Sequence, residues 1–199
     1  MIYAGTGLLD ACALLDRAGL VSGSTVVDLG CGSLGHFVFP AADVVGAEGH
    51  VYAVDVQRSA VRRVEEEARR EQYWHVHSVW SDVEHADPIP VPTVVADLTL
   101  IVNALYLSSQ PERWVEEAFR ITRSGGQLLV IDWHPEAEPL GPSKHVRLAP
   151  ETIREWFSQQ GWLVEDEVIV AGDHHYGLLC TKPDTIQEAR VEFISHPSH

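Results

Sequence analysis

Cationic side chains are scarce in this chain. Lys and Arg number 14 against 29 Asp and Glu, a formal net charge of −15 with histidines neutral. Nucleic-acid binding leans on Lys and Arg that neutralise phosphates, so this balance argues against nucleic acid as a partner, and against an anionic membrane surface. A small-molecule or cationic partner is easier to accommodate. Cysteine is sparse too. Cys12, Cys31 and Cys180 are odd in number, far apart and never spaced CxxC, which suggests neither a disulfide framework nor a zinc knuckle. No apolar run approaches the roughly 20 residues needed to cross a bilayer. The opening Met1-Ile2-Tyr3-Ala4-Gly5 lacks the basic-then-apolar order of a signal peptide. A cytoplasmic protein is expected, and no internal repeat complicates the reading.

What is present is an alternation of short apolar runs with amphipathic stretches, the pattern of a parallel sheet covered by helices. One domain is expected over residues 1–183, beginning with a short helix near Leu8 to Ala18 whose inner face carries Leu8, Cys12 and Leu15. Residues 184–199 read as a tail. Strands are expected at Ser24 to Leu29, His50 to Asp55, Trp74 to Trp80, Val94 to Val102 and Gln127 to Trp133. The helices between them begin near His36, Ser59, Pro111 and Pro150, and Pro40 is tolerable only in a first turn. Leu163 to Val170 and Tyr176 to Thr181 lie close enough to form an antiparallel pair. The whole is a doubly wound α/β sheet, which binds ligands at the carboxyl ends of its strands.

Those ends carry the chemistry. Gly30-Cys31-Gly32-Ser33-Leu34-Gly35 spells G-x-G-x-x-G, a weak dinucleotide signal when taken alone. Asp28 just before it would repel a diphosphate, and suits the ammonium of a bound amino acid, directly or through water. The amides around Gly30 and Gly32 would then meet that ligand's carboxylate. The alternative is that Asp28 caps the backbone of the loop. Asp55, ending the second strand, can accept from both hydroxyls of a ribose, in NAD or in S-adenosylmethionine alike, with Val56 and Gln57 walling the adenine. Asp82 can accept from an exocyclic adenine amine while the Val83 amide donates to the ring, or it can cap the following turn.

In this order the motifs resemble class I S-adenosylmethionine-dependent methyltransferases. The resemblance is carried by Asp28-Leu29-Gly30-Cys31-Gly32, Ala53-Val54-Asp55-Val56-Gln57, Ser81-Asp82, and Ala96-Asp97-Leu98 through Asn103-Ala104-Leu105-Tyr106. Glu117-Ala118-Phe119-Arg120-Ile121, Gly125-Gly126-Gln127 through Trp133, and the closing Gly161-Trp162 and His175-Tyr176-Gly177-Leu178 extend it from Leu8 to Lys182. It implies a Rossmann-like, seven-stranded, mostly parallel sheet with an antiparallel terminal strand. It also implies that Asp28, Gly30 and Gly32 hold the methionine moiety, with Cys31 in the same cofactor loop as a small side chain packed behind it, that Asp55 holds the ribose and Asp82 the adenine, and that Asn103 sits beside the sulfonium. Two positions depart from the family pattern: Leu34 stands where a third glycine is common, with Gly35 one place later, and Ser124 replaces the usual proline before the double glycine.

Methyl transfer from a sulfonium is an in-line displacement in which the protein aligns a nucleophile and excludes water. A general base is needed only when the acceptor holds its proton at neutral pH. Asn103, Tyr106, Asp132, His134 and Tyr3 are candidates near the reacting end, with His134 the chosen base and Tyr106 a wall aromatic or second catalyst. No metal is expected: adjacent His174 and His175 point to opposite faces of a strand, and His196 and His199 lie in the tail. Arsenite methyltransferases use several cysteines, and the scatter of these three does not support that acceptor. Short inserts after strands four and five leave little for a lid, so the acceptor pocket is expected to be open or completed by a second copy in a homo-oligomer. Two other readings stand beside methyl transfer to a small molecule: a non-catalytic S-adenosylmethionine-binding subunit, and an NAD-linked oxidoreductase.

Overall fold

The computed structural model describes residues 8–85, 87–137 and 139–184. Tyr3, His196, His199 and the tail beyond residue 184 fall outside them. The chain runs α1 (Ala11–Arg17), β1 (Thr25–Leu29), α2 (Val38–Val45), β2 (His50–Asp55), α3 (Arg58–Arg70), β3 (Val76–Trp80) and β4 (Ala96–Val102). It continues through α4 (Pro111–Ile121), β5 (Thr122–Trp133), α5 (Pro150–Gln159), β6 (Leu163–Val164), β7 (Ile169–Val170) and β8 (His175–Thr181). The strands form one sheet in the order β3-β2-β1-β4-β5-β8-β6, with β7 also paired to β8.

The first five strands pair in parallel and β8 enters antiparallel, with Trp133 opposite His175 and Leu128 opposite Cys180. The expected pair after α5 forms, but its first arm is broken. Leu163–Val164 and Ile169–Val170 bond to β8 separately, and Glu165-Asp166-Glu167 lie between them. Counted as one interrupted strand, they give the seven-stranded sheet expected.

Strand parity divides the core. Val26, Val51, Leu98, Leu100, Leu129 and Ile131 pack under α1, α2 and α3. Val27, Leu29, Val54, Ile101, Leu128 and Val130 pack under α4 and α5. Alternation therefore places Asp28 and Trp133 on the α1–α3 side and Asp132 on the other.

Local chemistry explains the elements, with a few shifted boundaries. Asp10 caps α1 by accepting from the Ala13 amide at 3.0 Å, so the helix starts at Ala11. That phase buries Ala11, Leu14 and Leu15 and exposes Cys12, correcting the face expected for this helix. Pro40 occupies the first turn of α2, and prolines open α4 and α5, where a missing amide proton is harmless. On α3, Arg69 pairs with Glu65 one turn back, and Arg70 pairs with Glu67 and Glu71. The Pro-rich segment before β4 is tied to α4 by a buried ion pair: Glu117 accepts from Arg120 at 2.7 Å and from the Ile89 amide at 3.1 Å. Arg120 in turn donates to the carbonyls of Ile89 and Val91.

Candidate cofactor and acceptor site

β1 has β2 on one side and β4 on the other, so chain order reverses there and the loops leaving the strand ends part. A crevice of about 650 Å³ opens at this edge. Its walls include Asp28, Gly30, Cys31, Gly32, Asp55, Val56, Gln57, Asp82, Val83 and Asn103, so every residue expected to hold the cofactor faces one cavity.

The glycine loop turns through left-handed backbone at Gly30, Gly32 and Gly35, with φ of 80°, 65° and 56°. A Cβ on Gly30 would lie 3.3 Å from the Trp114 ring, whereas one on Gly32 would meet nothing within 4 Å. Gly32 thus leaves bare backbone beside open space. The extra residue is absorbed without losing a turn: Gly35 takes the left-handed position, and Leu34, 57% exposed, lines the crevice. The amides of Gly30 and Cys31 donate to the Val54 carbonyl, and that of Gly32 donates to Asp55 Oδ2 at 2.9 Å. The Gly30 and Gly32 amides expected to greet a ligand carboxylate are therefore already engaged in fixing the loop to β2.

Asp28 does not cap that loop. It is 2% exposed, and its Oδ1 has no hydrogen-bond partner. Burial first and the Asp55 charge second push its carboxyl up to about 7. A buried, unpartnered carboxylate facing a cavity is a vacancy for a cation or for a donor. Asp55 is better satisfied, accepting also from the Gln57 amide at 2.8 Å, so it organises the loop as well as lining the crevice. Asp82 accepts from the Glu84 amide at 2.9 Å, the turn-capping alternative, while still bordering the cavity.

Several wall residues were not anticipated. Glu84 accepts from the Ser109 amide and hydroxyl and from Trp114 Nε1. Burial alone would raise its carboxyl, but hydrogen bonds from Ser109, Ser108 and Trp114 hold it at about 2. It thereby fixes the indole that packs on Gly30. Leu8, Leu9 and Phe37 add apolar wall from the α1–α3 side. His175, the first residue of β8, reaches the crevice because an antiparallel strand begins at the edge where its parallel neighbours end.

Three residues expected at the reacting end, Tyr106, Asp132 and His134, do not line this cavity, which corrects that expectation. His134 is exposed beyond β5, and its Nδ1 accepts from the Glu136 amide at 3.2 Å, so it caps the loop before Pro135. Tyr106 lies within reach of the Asp132 charge instead, and burial followed by that charge raises its hydroxyl. Asp132 itself is buried on the opposite face, its carboxyl pushed up to about 6 by burial against hydrogen bonds from the Trp133 and Tyr106 amides. The segment joining β5 to α5 gathers on Arg147, which donates to the carbonyls of His134, Ala137, Leu140 and Pro142. Gly141 of that segment lies against the Trp133 ring, which lines the crevice. Among the described residues there is no group of three or more His, Cys, Asp or Glu placed to hold a metal ion, and no helix long and apolar enough to cross a membrane.

The comparisons with known proteins agree with this geometry. A family model described as a methyltransferase domain matches residues 20–188. An arsenite methyltransferase of Halobacterium salinarum is 27% identical over 115 residues, covering 58% of this chain and 28% of that protein. A ubiquinone/menaquinone biosynthesis C-methyltransferase of Hydrogenovibrio crunogenus is 27% identical over 126 residues, covering 63% and 48% respectively. The chain thus spans half or less of the length of these curated relatives. The crystal structure of a SAM-dependent methyltransferase from Aquifex aeolicus superposes with a TM-score of 0.81 at 26% identity, over 88% of this chain and 90% of that one. With strand order, crevice and family model in accord, the chain belongs to the methyltransferase domain family and has the Rossmann-like fold of its S-adenosylmethionine-dependent members.

Proposed function

We propose that the crevice binds S-adenosylmethionine and that the chain transfers its methyl group to a small-molecule acceptor. The observation that carries this is Asp28, an unpartnered carboxylate buried beside a left-handed glycine turn. It receives the ammonium of an amino acid and turns away a diphosphate, which disfavours the NAD-linked reading. Asp55 receives the ribose hydroxyls, and Asp82, Val56, Gln57 and Val83 border the adenine. Asn103 faces the sulfonium end. When bound, the cofactor supplies an electrophilic methyl group on a cationic sulfur. The protein's part is to orient and to exclude water, with Leu8, Leu9, Phe37 and Trp133 forming the apolar walls.

The named acceptors of the two relatives bear differently on this chain. Arsenite chemistry would need converging thiols, yet Cys12 is exposed on α1 while Cys31 and Cys180 are buried apart. A carbon or oxygen acceptor on an organic molecule suits the apolar walls better. Calorimetry with S-adenosylmethionine and S-adenosylhomocysteine tests the reading, and sub-millimolar binding of both is expected. Binding of neither removes it. Transfer of a labelled methyl group to metabolite pools then tests turnover, and separates an enzyme from a non-catalytic binding subunit.

A further inference from the structure

Glu84 is a charged wall residue that the proposed cofactor contacts leave unused. It follows β3 and borders the crevice beside Asp82 and Val83. Its Oε1 accepts from the Ser109 amide at 3.1 Å and from Trp114 Nε1 at 3.3 Å, and its Oε2 accepts from the Ser109 hydroxyl at 2.6 Å. The Ser108 hydroxyl donates as well, while its own oxygen accepts from the Gln110 amide at 3.1 Å. A carboxylate offers roughly four lone-pair sites, so these donors leave none for a ligand. Ser108, Ser109 and Trp114 are all neutral, so hydrogen-bond geometry, not an ion pair, holds the cluster together.

Trp114, in the first turn of α4, spans the wall between two loops. Its Nε1 is bonded to Glu84, and a Cβ added to Gly30 would lie 3.3 Å from Cη2 at the far end of the indole. The ring is thus a strut from the loop after β3 to the back of the glycine turn, at its left-handed residue with φ 80°. Ala104, another wall residue, backs the same glycine: that Cβ would lie 3.2 Å from its methyl. Arg113, the residue before Trp114, donates to the His85 carbonyl at 3.0 Å, so α4 is tied to the loop at His85 as well as at Glu84. The Ser108–Ser109 turn, whose first residue lines the crevice, is drawn to the same carboxylate.

We infer that Glu84 is a positioning residue for the cofactor: it touches no ligand, and through Trp114 it fixes the glycine turn and the facing wall before the cofactor arrives. This rests on the function proposed above and adds a residue that acts through another. A side chain or turn that is ordered in advance need not be ordered on binding, and each such ordering costs affinity.

The test is S-adenosylhomocysteine affinity by calorimetry, read together with the Trp114 indole signal in nitrogen-15 spectra. Glu84→Ala frees the indole and the turn, and should weaken binding about tenfold. Glu84→Gln can accept at Oε1 from the Ser109 amide and Trp114 and donate from Nε2 to a serine hydroxyl, so it should stay within about threefold of the parent. Trp114→Phe shortens the strut and removes Nε1, and should also cost about tenfold. Because one residue acts through the other, the double variant Glu84→Ala with Trp114→Phe should lose about thirtyfold or less, where independent effects would give about a hundredfold. The Trp114 Nε1 signal should move in Glu84→Ala and return to the parent's position in Glu84→Gln. In the unaltered protein its proton should exchange slowly with solvent both before and after S-adenosylhomocysteine binds. A Gln variant as weak as the Ala variant would mean that the charge itself meets the ligand. That result, an Ala variant of parental affinity, multiplicative losses in the double variant, or an Nε1 proton released on binding overturns the inference while leaving the proposed function standing. Should Glu84→Ala fail to fold, the Gln variant and the exchange measurement decide by themselves. A parent that binds no S-adenosylhomocysteine removes both.

Discussion

Asp28→Asn keeps the shape of the side chain and removes its charge, so it isolates the electrostatics of the crevice. In the ligand-free protein the Asp28 carboxyl stands at about 7, against an ordinary value of 3.8, through burial first and Asp55 second. Each tenfold in proton affinity is worth about 1.4 kcal/mol, so holding this group ionised in the folded chain costs about 4 kcal/mol. The folded value lies above the unfolded one. Between about pH 4 and 7 the folded chain therefore keeps a proton that the unfolded chain has lost, and stability falls as pH rises through that window, then levels off. Asp28→Asn should flatten this slope and unfold at higher urea concentration than the parent at pH 8. Binding should show the reverse. An ammonium beside Asp28 restores the charged form, so S-adenosylhomocysteine should bind about tenfold more weakly at pH 6 than at pH 8 and release nearly one proton at pH 6. Calorimetry in two buffers of different ionisation enthalpy reads both quantities. Equal affinity at the two pH values with no proton released, or an Asn variant that binds as tightly as the parent, would refute the reasoning.

Three further outcomes follow from the geometry. Gly35→Ala puts a Cβ 2.7 Å from the Phe39 ring at a φ of 56°, and should cost about 2–4 kcal/mol in urea unfolding. Glu117→Ala leaves Arg120, its side chain 22% exposed, without its carboxylate; a loss of about 3 kcal/mol is expected, with faster amide exchange at Ile89 and Val91. An aromatic disulfide reagent should titrate only Cys12 in the folded protein and all three thiols in urea, because burial pushes the thiols of Cys31 and Cys180 well up. Rapid reaction of all three without denaturant would contradict the packing behind the glycine loop.

Much of the crevice was legible because local rules act at each strand end. A buried apolar run, then an acid, then bare-backbone residues can be read from a few consecutive letters, and Asp28, Asp55 and Asp82 come together once the strands are parallel. What escaped is set by parity and by distance along the chain. Asp132 lies within, and His134 just after, a strand that points at the site, yet the period of two turns Trp133 toward the cavity and Asp132 away. His175 and Trp114 arrive from β8 and α4. No short window signals them; the signal for His175 was its place at the start of an antiparallel strand. The histidine pair His174-His175 was weighed as a metal site, whereas what separates the two is that His175 lines the crevice and His174 does not.

The interruption of the outermost strand has a bearing on solubility. Val170 is 86% exposed and Leu163 57%, and an unbroken ribbon of such residues would offer a second molecule a full row of unpaired backbone groups. Three consecutive acids at positions 165–167, of which Glu165 and Glu167 are held by Arg17, split that row into two-residue fragments, too short to template another chain. The margin beyond β8 is thus defended by the very residues that spoil its regularity, and β3 is left as the one unbroken edge strand among the described residues.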